Sequence, residues 1–348
     1  MSSIKPIIFV SALVCCLLAI SDAARAQEDP FYVNQQIKVY NRSTPGGGYD
    51  LMSRVVARHL GKYLPGSRSV IVVNQPGAGG LVAAAYMYQR AKPDGLSVSL
   101  LDRTAPIEQL LRPELAKQAD FRRFRYLGSL GKDIPLLMIR KETGIRTFDD
   151  LMQSKNKFVP GGTTKSAAGY QIPFAYQLAW NLPFSKWVLG YPGASEQAIA
   201  MQRGENDLIG TTVDSVAGLA LLREIGNPLV IASRTRDKRF PEVPTVFEVA
   251  KRHKPNSQYW PLVELLVDAS EWGRPFVAPP ATPEPRVAVL RDAFDKTFKD
   301  RALIADAEKV ALYVDPVTGA TQEELIRKTM ESLGASPPRM KLLKMLLE

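Results

Sequence analysis

The parts of this sequence best suited to chemistry are loops rich in Gly, Ser and Thr that each follow a predicted strand and open a predicted helix. Two of them cover residues 43–50 (STPGGGYD) and 74–80 (NQPGAGG). The first turn of a helix has amide N–H groups without partners in the helix, together with a partial positive charge. Glycine lets a ligand approach these amides closely, and a short hydroxyl adds a donor. The loops therefore predict an anion site that needs no cationic side chain.

Comparable loops recur in the second half of the chain, at residues 160–166 (PGGTTKS), 190–194 (GYPGA) and 210–212 (GTT). Each loop taken alone could be an ordinary connection between a strand and a helix. Two loops on each side of a cleft could instead hold both ends of a dicarboxylate. A hydrogen bond to a charged group contributes roughly 1.5–3 kcal/mol, so three or four could give micromolar affinity after the costs of association.

The side chains that enzymes usually employ are scarce. The chain has two histidines, of which His59 falls in a predicted amphipathic helix and His253 in a polar stretch expected to be solvated. The sequence contains no G-x-S-x-G, no G-x-x-x-x-G-K-[ST] and no H-E-x-x-H motif. It therefore favours a binding protein over an enzyme, and it predicts neither a cofactor nor a metal site.

The N-terminal residues 1–26 have the composition of a cleaved secretory signal peptide. An apolar run at 6–20 is followed by small and polar residues that end in A-R-A at 24–26. The run is shorter than the roughly 20 residues that a spanning helix needs, although an uncleaved membrane anchor is the alternative. Both cysteines, Cys15 and Cys16, would leave with this segment. The sequence thus predicts a periplasmic protein without a disulfide.

A formal net charge of +10 would suit a nucleic-acid binder, but export argues against that partner. The densest basic run is FRRFR at residues 121–125, which is either a solvated face or a surface for an acidic partner or anionic lipid. The length of the exported chain predicts two lobes rather than one core.

The order of predicted elements indicates an α/β fold. Strands at 37–40, 70–73 and 96–101 alternate with helices at 51–64 and 81–91, which predicts parallel strands with right-handed crossovers. The apolar second strand is expected to be buried on both faces. The alternation resumes with strands at 157–159, 187–189, 207–209 and 228–232, and helices follow at 285–298, 321–333 and 339–347.

Taken together, the loops resemble the signatures of one family, the substrate receptors of tripartite tricarboxylate transporters, also called the Bug family of extracytoplasmic solute receptors. TPGGGYD at 44–50 resembles P-x-G-G-G-x-D, NQPGAGG at 74–80 resembles N-[RK]-P-G-A-G-G, and PDG at 93–95 resembles P-D-G-Y. Later landmarks, such as GYPGA at 190–194 and VPTV at 243–246, follow in the family's order. The resemblance covers nearly all of the chain after the signal peptide.

This resemblance implies a Venus flytrap fold of type II, in which crossing strands join two α/β lobes around a ligand cleft. One lobe would comprise residues 27–132 plus 250–348, and the other residues 133–249. Family members mostly bind carboxylates through main-chain amides, hydroxyls and bridging waters. The positions carried over from the family as ligand-binding are Ser43, Thr44, Gly47, Gly48, Tyr49, Gly77, Ala78, Gly79, Thr163, Thr164, Ser166, Tyr191, Gly193, Ala194 and Thr212.

The sequence departs from the family pattern at several positions. Tyr49 stands where a small polar residue is usual, and Gln75 replaces a basic residue. Relative to that pattern, the chain has about 15 additional residues around 251–267. Asp50 and Asp207 match family positions, and we interpret both as structural because a carboxylate would repel an anionic ligand.

The main hypothesis is a monomeric periplasmic receptor that captures a small organic carboxylate for membrane permease subunits or for a sensor. One alternative is a receptor for a neutral amide or aromatic ligand, on which Tyr49 could stack. Another is an exported hydrolase or transferase that uses Ser166 or Thr163, although no histidine is near either in the sequence.

Overall fold

The computed structural model describes residues 30–345, apart from residues 44, 47, 163–164, 166–167, 192–193, 214–215, 217–219 and 311. The predicted signal peptide, with both cysteines, lies outside the described residues. Within the described ranges, no helix combines the length and the apolar character that crossing a membrane requires.

The described strands and helices alternate along most of the chain. The strands are β1 (Gln36–Asn41), β2 (Ser69–Asn74), β3 (Ser97–Leu100), β4 (Arg125–Ser129), β5 (Pro135–Arg140), β6 (Pro160–Gly162), β7 (Val188–Leu189), β8 (Leu208–Thr212), β9 (Gly226–Ile231), β10 (Phe276–Ala278) and β11 (Val317–Thr318). The α-helices are α1 (Gly48–Leu60), α2 (Leu81–Gln89), α3 (Ala105–Leu111), α4 (Phe148–Gln153), α5 (Ala168–Trp180), α6 (Ala194–Gln202), α7 (Ala220–Ile225), α8 (Val246–Arg252), α9 (Trp260–Glu271), α10 (Glu284–Phe298), α11 (Arg301–Lys309), α12 (Gly319–Gly334) and α13 (Pro337–Met345).

Among the described residues these strands form two sheets, with the orders β11-β4-β10-β3-β1-β2 and β7-β6-β8-β5-β9. β1 is parallel to β2 and β3, and β6 is parallel to β7 and β8. β10 and β5, which lie next to the passages between the sheets, pair antiparallel with their neighbours. The predicted two-lobed α/β fold is confirmed, and its sheets are mixed because β5, β10 and the short β11 run antiparallel to their neighbours.

The chain passes from the first sheet to the second between β4 and β5, and it returns between α9 and β10. The two passages lie against each other. Gly273 has φ 62°, and a Cβ atom there would collide with the carbonyl oxygen of Gly131. Lys132 and Glu271 form an ion pair of 2.6 Å between the passages. The two segments thus form a closely packed double connection between the sheets. The residue boundaries of the two lobes stay a prediction.

An apolar core runs continuously from the first sheet to the second. It includes Met87 of α2, Leu137 of β5 and Leu262 of α9, all of them buried. The outer face of each sheet has a further core, with Phe294 of α10 in the first and Met201 of α6 in the second. Burial of such side chains contributes roughly 1.5–3 kcal/mol each.

The additional segment at 251–267, whose role the sequence left open, completes α8 and forms much of α9. The Trp260 ring meets Trp180 of α5 edge-on with 5.9 Å between centroids, and it meets Phe247 of α8 at 5.6 Å. α9 also packs against α12 and α13. Since α5 packs on β8 and α12 packs on β4, this segment contacts helices that cover both sheets.

Two predictions about strands were wrong. β2, expected to be buried on both faces, is half-exposed because it lies at the edge of its sheet, where helices cover it incompletely. The strand predicted at 157–159 is displaced, since the glycines at 160–162 form β6 and Phe158 makes only an isolated bridge to Phe184. Glycine normally weakens a strand, and here the neighbours β7 and β8 supply the pairing.

Candidate functional site

The carboxyl ends of β1 and β3 lie side by side because the two strands are parallel. Arg42 follows β1, and Asp102 and Arg103 follow β3. β10 is antiparallel to β3 and pairs Phe276 with the last residue of β3, so Arg274, just before β10, reaches the same edge. Ligands of open α/β sheets bind at this carboxyl edge.

Asp102 gathers several donors at this edge. Its Oδ1 accepts from the Thr104 amide at 2.8 Å, while its Oδ2 forms an ion pair with Arg42 and accepts from the Tyr49 hydroxyl at 3.4 Å. The Arg42 guanidinium carbon lies 5.1 Å from the centre of the Tyr49 ring, and that of Arg274 lies 4.8 Å from the same centre. Tyr49 therefore connects the residues after β1 to the segment before β10 through two cation–π contacts.

Asp133 forms the second cluster, in the passage between β4 and β5. Its Oδ2 lies 3.1 Å from Arg103 Nε, and its Oδ1 lies 3.3 Å from Arg274 Nη2. Arg103 Nη1 also donates to the Asp133 carbonyl at 2.6 Å. Burial alone would raise the pKa of Asp133, but these two arginines and a hydrogen bond with Thr212 hold it below its ordinary value. The carboxylate is therefore ionised at neutral pH, and through Thr212 it links the passage to β8 of the second sheet.

Asp50 holds the loop after β1. Its Oδ2 accepts from the Gly46 amide and from Arg54 Nε, both at 2.8 Å, and its Oδ1 accepts from Asn74 Nδ2 at 2.8 Å. The same Asn74 amide donates to the Ser43 carbonyl at 2.8 Å. Burial alone would raise the pKa of Asp50, but the hydrogen bonds from Arg54, Gly46 and Asn74 lower it. These contacts support the structural interpretation of Asp50, because both oxygens of its carboxylate accept hydrogen bonds that hold the loop in place.

Asp207 has a comparable structural role beside the second sheet. It accepts from the Val159 amide at 2.9 Å and from Arg140 Nη2 at 3.3 Å, which fastens the start of β6 beside β8. Nearby, Asn206 Nδ2 donates to the Tyr191 hydroxyl at 3.2 Å. The partly exposed Tyr191 is therefore positioned by a buried amide.

The structure brings several predicted ligand residues to the carboxyl edge of the first sheet. Ser43, Gly48 and Tyr49 follow β1, and the short turn at Ala78–Gly80 follows the neighbouring β2. The Gln75 amide donates to the Asn41 carbonyl at 2.8 Å, which joins the two loops at their base. Thr44, Gly47, Thr163, Thr164, Ser166 and Gly193 lie outside the described residues, as does the side chain of Ala194 at the start of α6. Gly77, Ala78, Gly79, Tyr191 and Thr212 remain predicted ligand contacts.

The sequence reasoning missed the charged residues of this edge. Arg42, Asp102 and Arg103 directly follow strands that the sequence had located, so the convergence of parallel strand ends could have identified them. Asp133 and Arg274 gave no such signal, because their meeting depends on the two passages between the sheets.

Both histidines lie away from this edge of the sheet, and each forms a hydrogen bond with an aspartate. His59 Nε2 lies 3.0 Å from Asp306 of α11, as expected of a structural residue. His253 is half-buried, with its Nε2 2.6 Å from Asp149 of α4, so the prediction that it is solvated was wrong. Among the described residues, no group of three or more His, Cys, Asp or Glu side chains could hold a metal ion.

Residues 52–335 match the model of the tripartite tricarboxylate transporter family receptors. The chain belongs to that family. Its members are substrate-binding receptors that work with membrane transporter components, so the resemblance noted in the loops is confirmed. A protein from the gbd 5′ region of Cupriavidus necator is 26% identical over 294 residues, which are 83% of this chain and 82% of the relative.

Solved structures of low sequence identity share the fold of this receptor. A solute-binding protein from Polaromonas, solved without ligand, superposes with a TM-score of 0.67 at 21% identity over 87% of this chain and 98% of its own. MatC from Rhodopseudomonas palustris, solved with malate, has a TM-score of 0.63 at 18% identity over 90% and 99% of the two chains. Another R. palustris protein, solved with adipate, has a TM-score of 0.64 at 17% identity over 90% and 97%.

Proposed function

We propose that this receptor is a periplasmic monomer that captures a small organic carboxylate between its lobes and presents it to membrane permease subunits or to a sensor. The lobes are residues 27–132 plus 250–348, and residues 133–249. Family membership supports a receptor rather than an enzyme. The two solved relatives that hold malate and adipate support a carboxylate as the ligand.

The observation that carries the proposal is the convergence of the loops after β1, β2 and β3 with Arg42 and Arg274 at one edge of the first sheet. The N-terminus of α1 opens at this edge, so its unpaired amides favour an anion there. The ligand-binding positions that we propose are those carried over from the family, from Ser43 to Thr212. Closure of the second lobe over a ligand held here would shift an equilibrium between open and closed forms.

A thermal-shift panel tests this function. The panel contains malate, adipate, citrate and benzoate, together with adipamide and malamide as neutral partners of matched shape. We expect at least one carboxylate to raise the melting temperature in a concentration-dependent manner, because a ligand that binds only the folded state stabilises it. Stabilisation by a diamide but by no carboxylate would favour the alternative of a neutral ligand, and a folded protein that responds to none would count against the receptor.

Export needs a separate experiment. We expect the full chain, expressed in a bacterium, to be recovered from the periplasmic fraction with a new N-terminus at residue 27. An intact N-terminus in the membrane fraction would instead support the anchor hypothesis.

A further inference from the structure

Arg239 and Tyr313 make a contact between parts of the chain that belong to different sheets. Arg239 lies between β9 of the second sheet and α8, and Tyr313 lies between α11 and β11 of the first sheet. The guanidinium carbon of Arg239 is 4.4 Å from the centre of the Tyr313 ring, within the range of a cation–π interaction. Neither residue belongs to the predicted ligand-binding positions, so the proposed function does not account for this contact.

The Arg239 side chain is held in place on its own side of the contact. Its Nε and Nη2 donate to the two carboxylate oxygens of Asp237 at 2.9 and 2.8 Å, and its main-chain amide donates to Asp237 Oδ1 at 2.8 Å. Asp237 is buried, and the bidentate pair fixes the plane of the guanidinium. The cation that meets the ring is therefore positioned by the loop that follows β9.

Tyr313 is anchored in the other half of the molecule, directly against the passage from β4 to β5. A Cβ atom built on Gly131 would lie 2.8 Å from the Tyr313 carbonyl oxygen, and the Asp315 amide donates to the Leu130 carbonyl at 3.1 Å. The tyrosine as a whole is 38% exposed. The main chain of this segment is thus packed on the passage, whereas the residue stays partly in solvent where Arg239 meets it.

The contact lies beside the region about which the lobes would turn. The described chain crosses between the sheets through two passages, which approach each other at Gly131 and Gly273. A hinge rotation about the passages keeps the packing within each lobe but alters the distance between groups anchored on opposite sides, as Arg239 and Tyr313 are. If the two separate, Arg239 keeps its pair with Asp237, so the break leaves no unpaired buried charge.

We propose that the contact between Arg239 and Tyr313 is an interlobe latch, which stabilises the form seen in this structure against the alternative form and so adjusts ligand affinity from outside the binding site. A ligand held between the lobes favours the closed form, and its apparent affinity follows the population of that form. A cation–π contact at an exposed site is expected to shift the equilibrium by about 2- to 5-fold. The inference rests on the proposed function for its link to the ligand, whereas the movement itself can be measured without one.

Tyr313→Leu tests the latch, because it removes the π-face and keeps an apolar side chain at a partly exposed position. Small-angle X-ray scattering of the ligand-free protein measures the radius of gyration. Calorimetric titration measures the affinity for adipate or malate, whichever stabilises the wild type more, and for adipamide or malamide as its neutral partner. We expect the radius to change and the dicarboxylate affinity to change by about 2- to 5-fold in the opposite sense, because the closed form is the more compact. The carboxylate-to-amide affinity ratio should stay at the wild-type value, since Tyr313 lies outside the proposed ligand positions.

Two matched variants serve as controls. Tyr313→Phe keeps the ring, so we expect it to behave like the wild type in both experiments. Tyr63→Leu makes the same substitution in a tyrosine whose cation–π partner, Lys62 at 5.2 Å, is its neighbour in the chain. Because that contact joins no separate parts of the molecule, we expect this control to leave the radius and the affinity unchanged.

The outcomes distinguish the latch from the receptor function. A folded Tyr313→Leu variant with the radius and the affinity of the wild type would overturn the latch and leave the receptor function standing. A radius and an affinity that rise together, or a changed carboxylate-to-amide affinity ratio, would also overturn it, because a shift between open and closed forms produces neither. A wild type that binds no carboxylate would overturn the proposed function, and the scattering of the variants would still decide whether the contact holds the lobes.

Discussion

Asp50 and Asp133 are both buried aspartates that bond to arginine near the proposed cleft, but their surroundings differ. Asp50 is satisfied by a main-chain amide, a side-chain amide and one exposed arginine, Arg54. Asp133 is shared by two arginines that are themselves largely buried, Arg103 and Arg274. The first carboxylate is satisfied within its own loop, whereas the second joins the segment after β3 to the segment before β10.

The comparison shows how to distinguish a structural carboxylate from one that serves a binding site. Where neutral donors and a single cation satisfy a carboxylate, its removal affects a local fold. Where one carboxylate balances two buried cations, its removal changes the charge that a ligand meets. The following predictions separate these two cases, starting with the largest effect.

The largest effect is expected for Asp133→Asn. The substitution removes the buried counter-ion that Arg103 and Arg274 share, and removal of one partner of a buried pair costs about 3–5 kcal/mol. Urea denaturation followed by circular dichroism measures the change. Asp292→Asn is the control, because Asp292 is exposed and its pair with Lys296 contributes about 0–1 kcal/mol. A loss in Asp133→Asn no larger than in this control would contradict the importance of the shared carboxylate.

Asp50→Asn is expected to have an intermediate effect. The asparagine oxygen can accept one of the bonds now made by Asp50, but its NH₂ group faces the donors of the loop, so about 1–3 kcal/mol is lost. The same denaturation experiment measures it. We expect weaker binding of adipate or malate only through disorder of the 43–50 loop, so the carboxylate-to-amide affinity ratio should stay at the wild-type value. A changed ratio would show that Asp50 contributes to recognition and that the structural interpretation is wrong.

The pKa values of both aspartates lie below the ordinary value of 3.8 in the folded protein. The stability of the protein at acid pH therefore tests the comparison further. A carboxyl whose pKa is lowered by folding contributes stability that is complete above its unfolded pKa and is lost as the pH falls toward the folded pKa. We therefore expect the free energy of unfolding to decline below about pH 4. Asp50→Asn should show a shallower decline between pH 4 and pH 2 than the wild type, and parallel curves would mean that Asp50 titrates alike in both states.

The sequence predicted the fold and the loops but not the charges between them. The loops at 43–50 and 74–80 were recognisable because glycines and an aspartate at fixed spacing are needed for their local geometry. Asp133 and Arg274 were not, since they come together only when the two passages between the sheets lie side by side. The position of β2 at the edge of its sheet could not be predicted either. An apolar run does not reveal which strands will be its neighbours, and so it does not show whether the strand will be exposed.

The smallest effect is expected for Tyr49→Phe. The hydroxyl lies 3.4 Å from Asp102 Oδ2, near the limit of a hydrogen bond, and Asp102 keeps Arg42 and the amide of Thr104 as partners. The ring, which orders both guanidinium groups, is retained, so we expect adipate or malate affinity to change by less than about 2-fold. Tyr49→Leu removes the π-face and should weaken the affinity several-fold in the same titration. Equal losses in the two variants would assign the effect to the hydroxyl, because only the hydroxyl is missing from both.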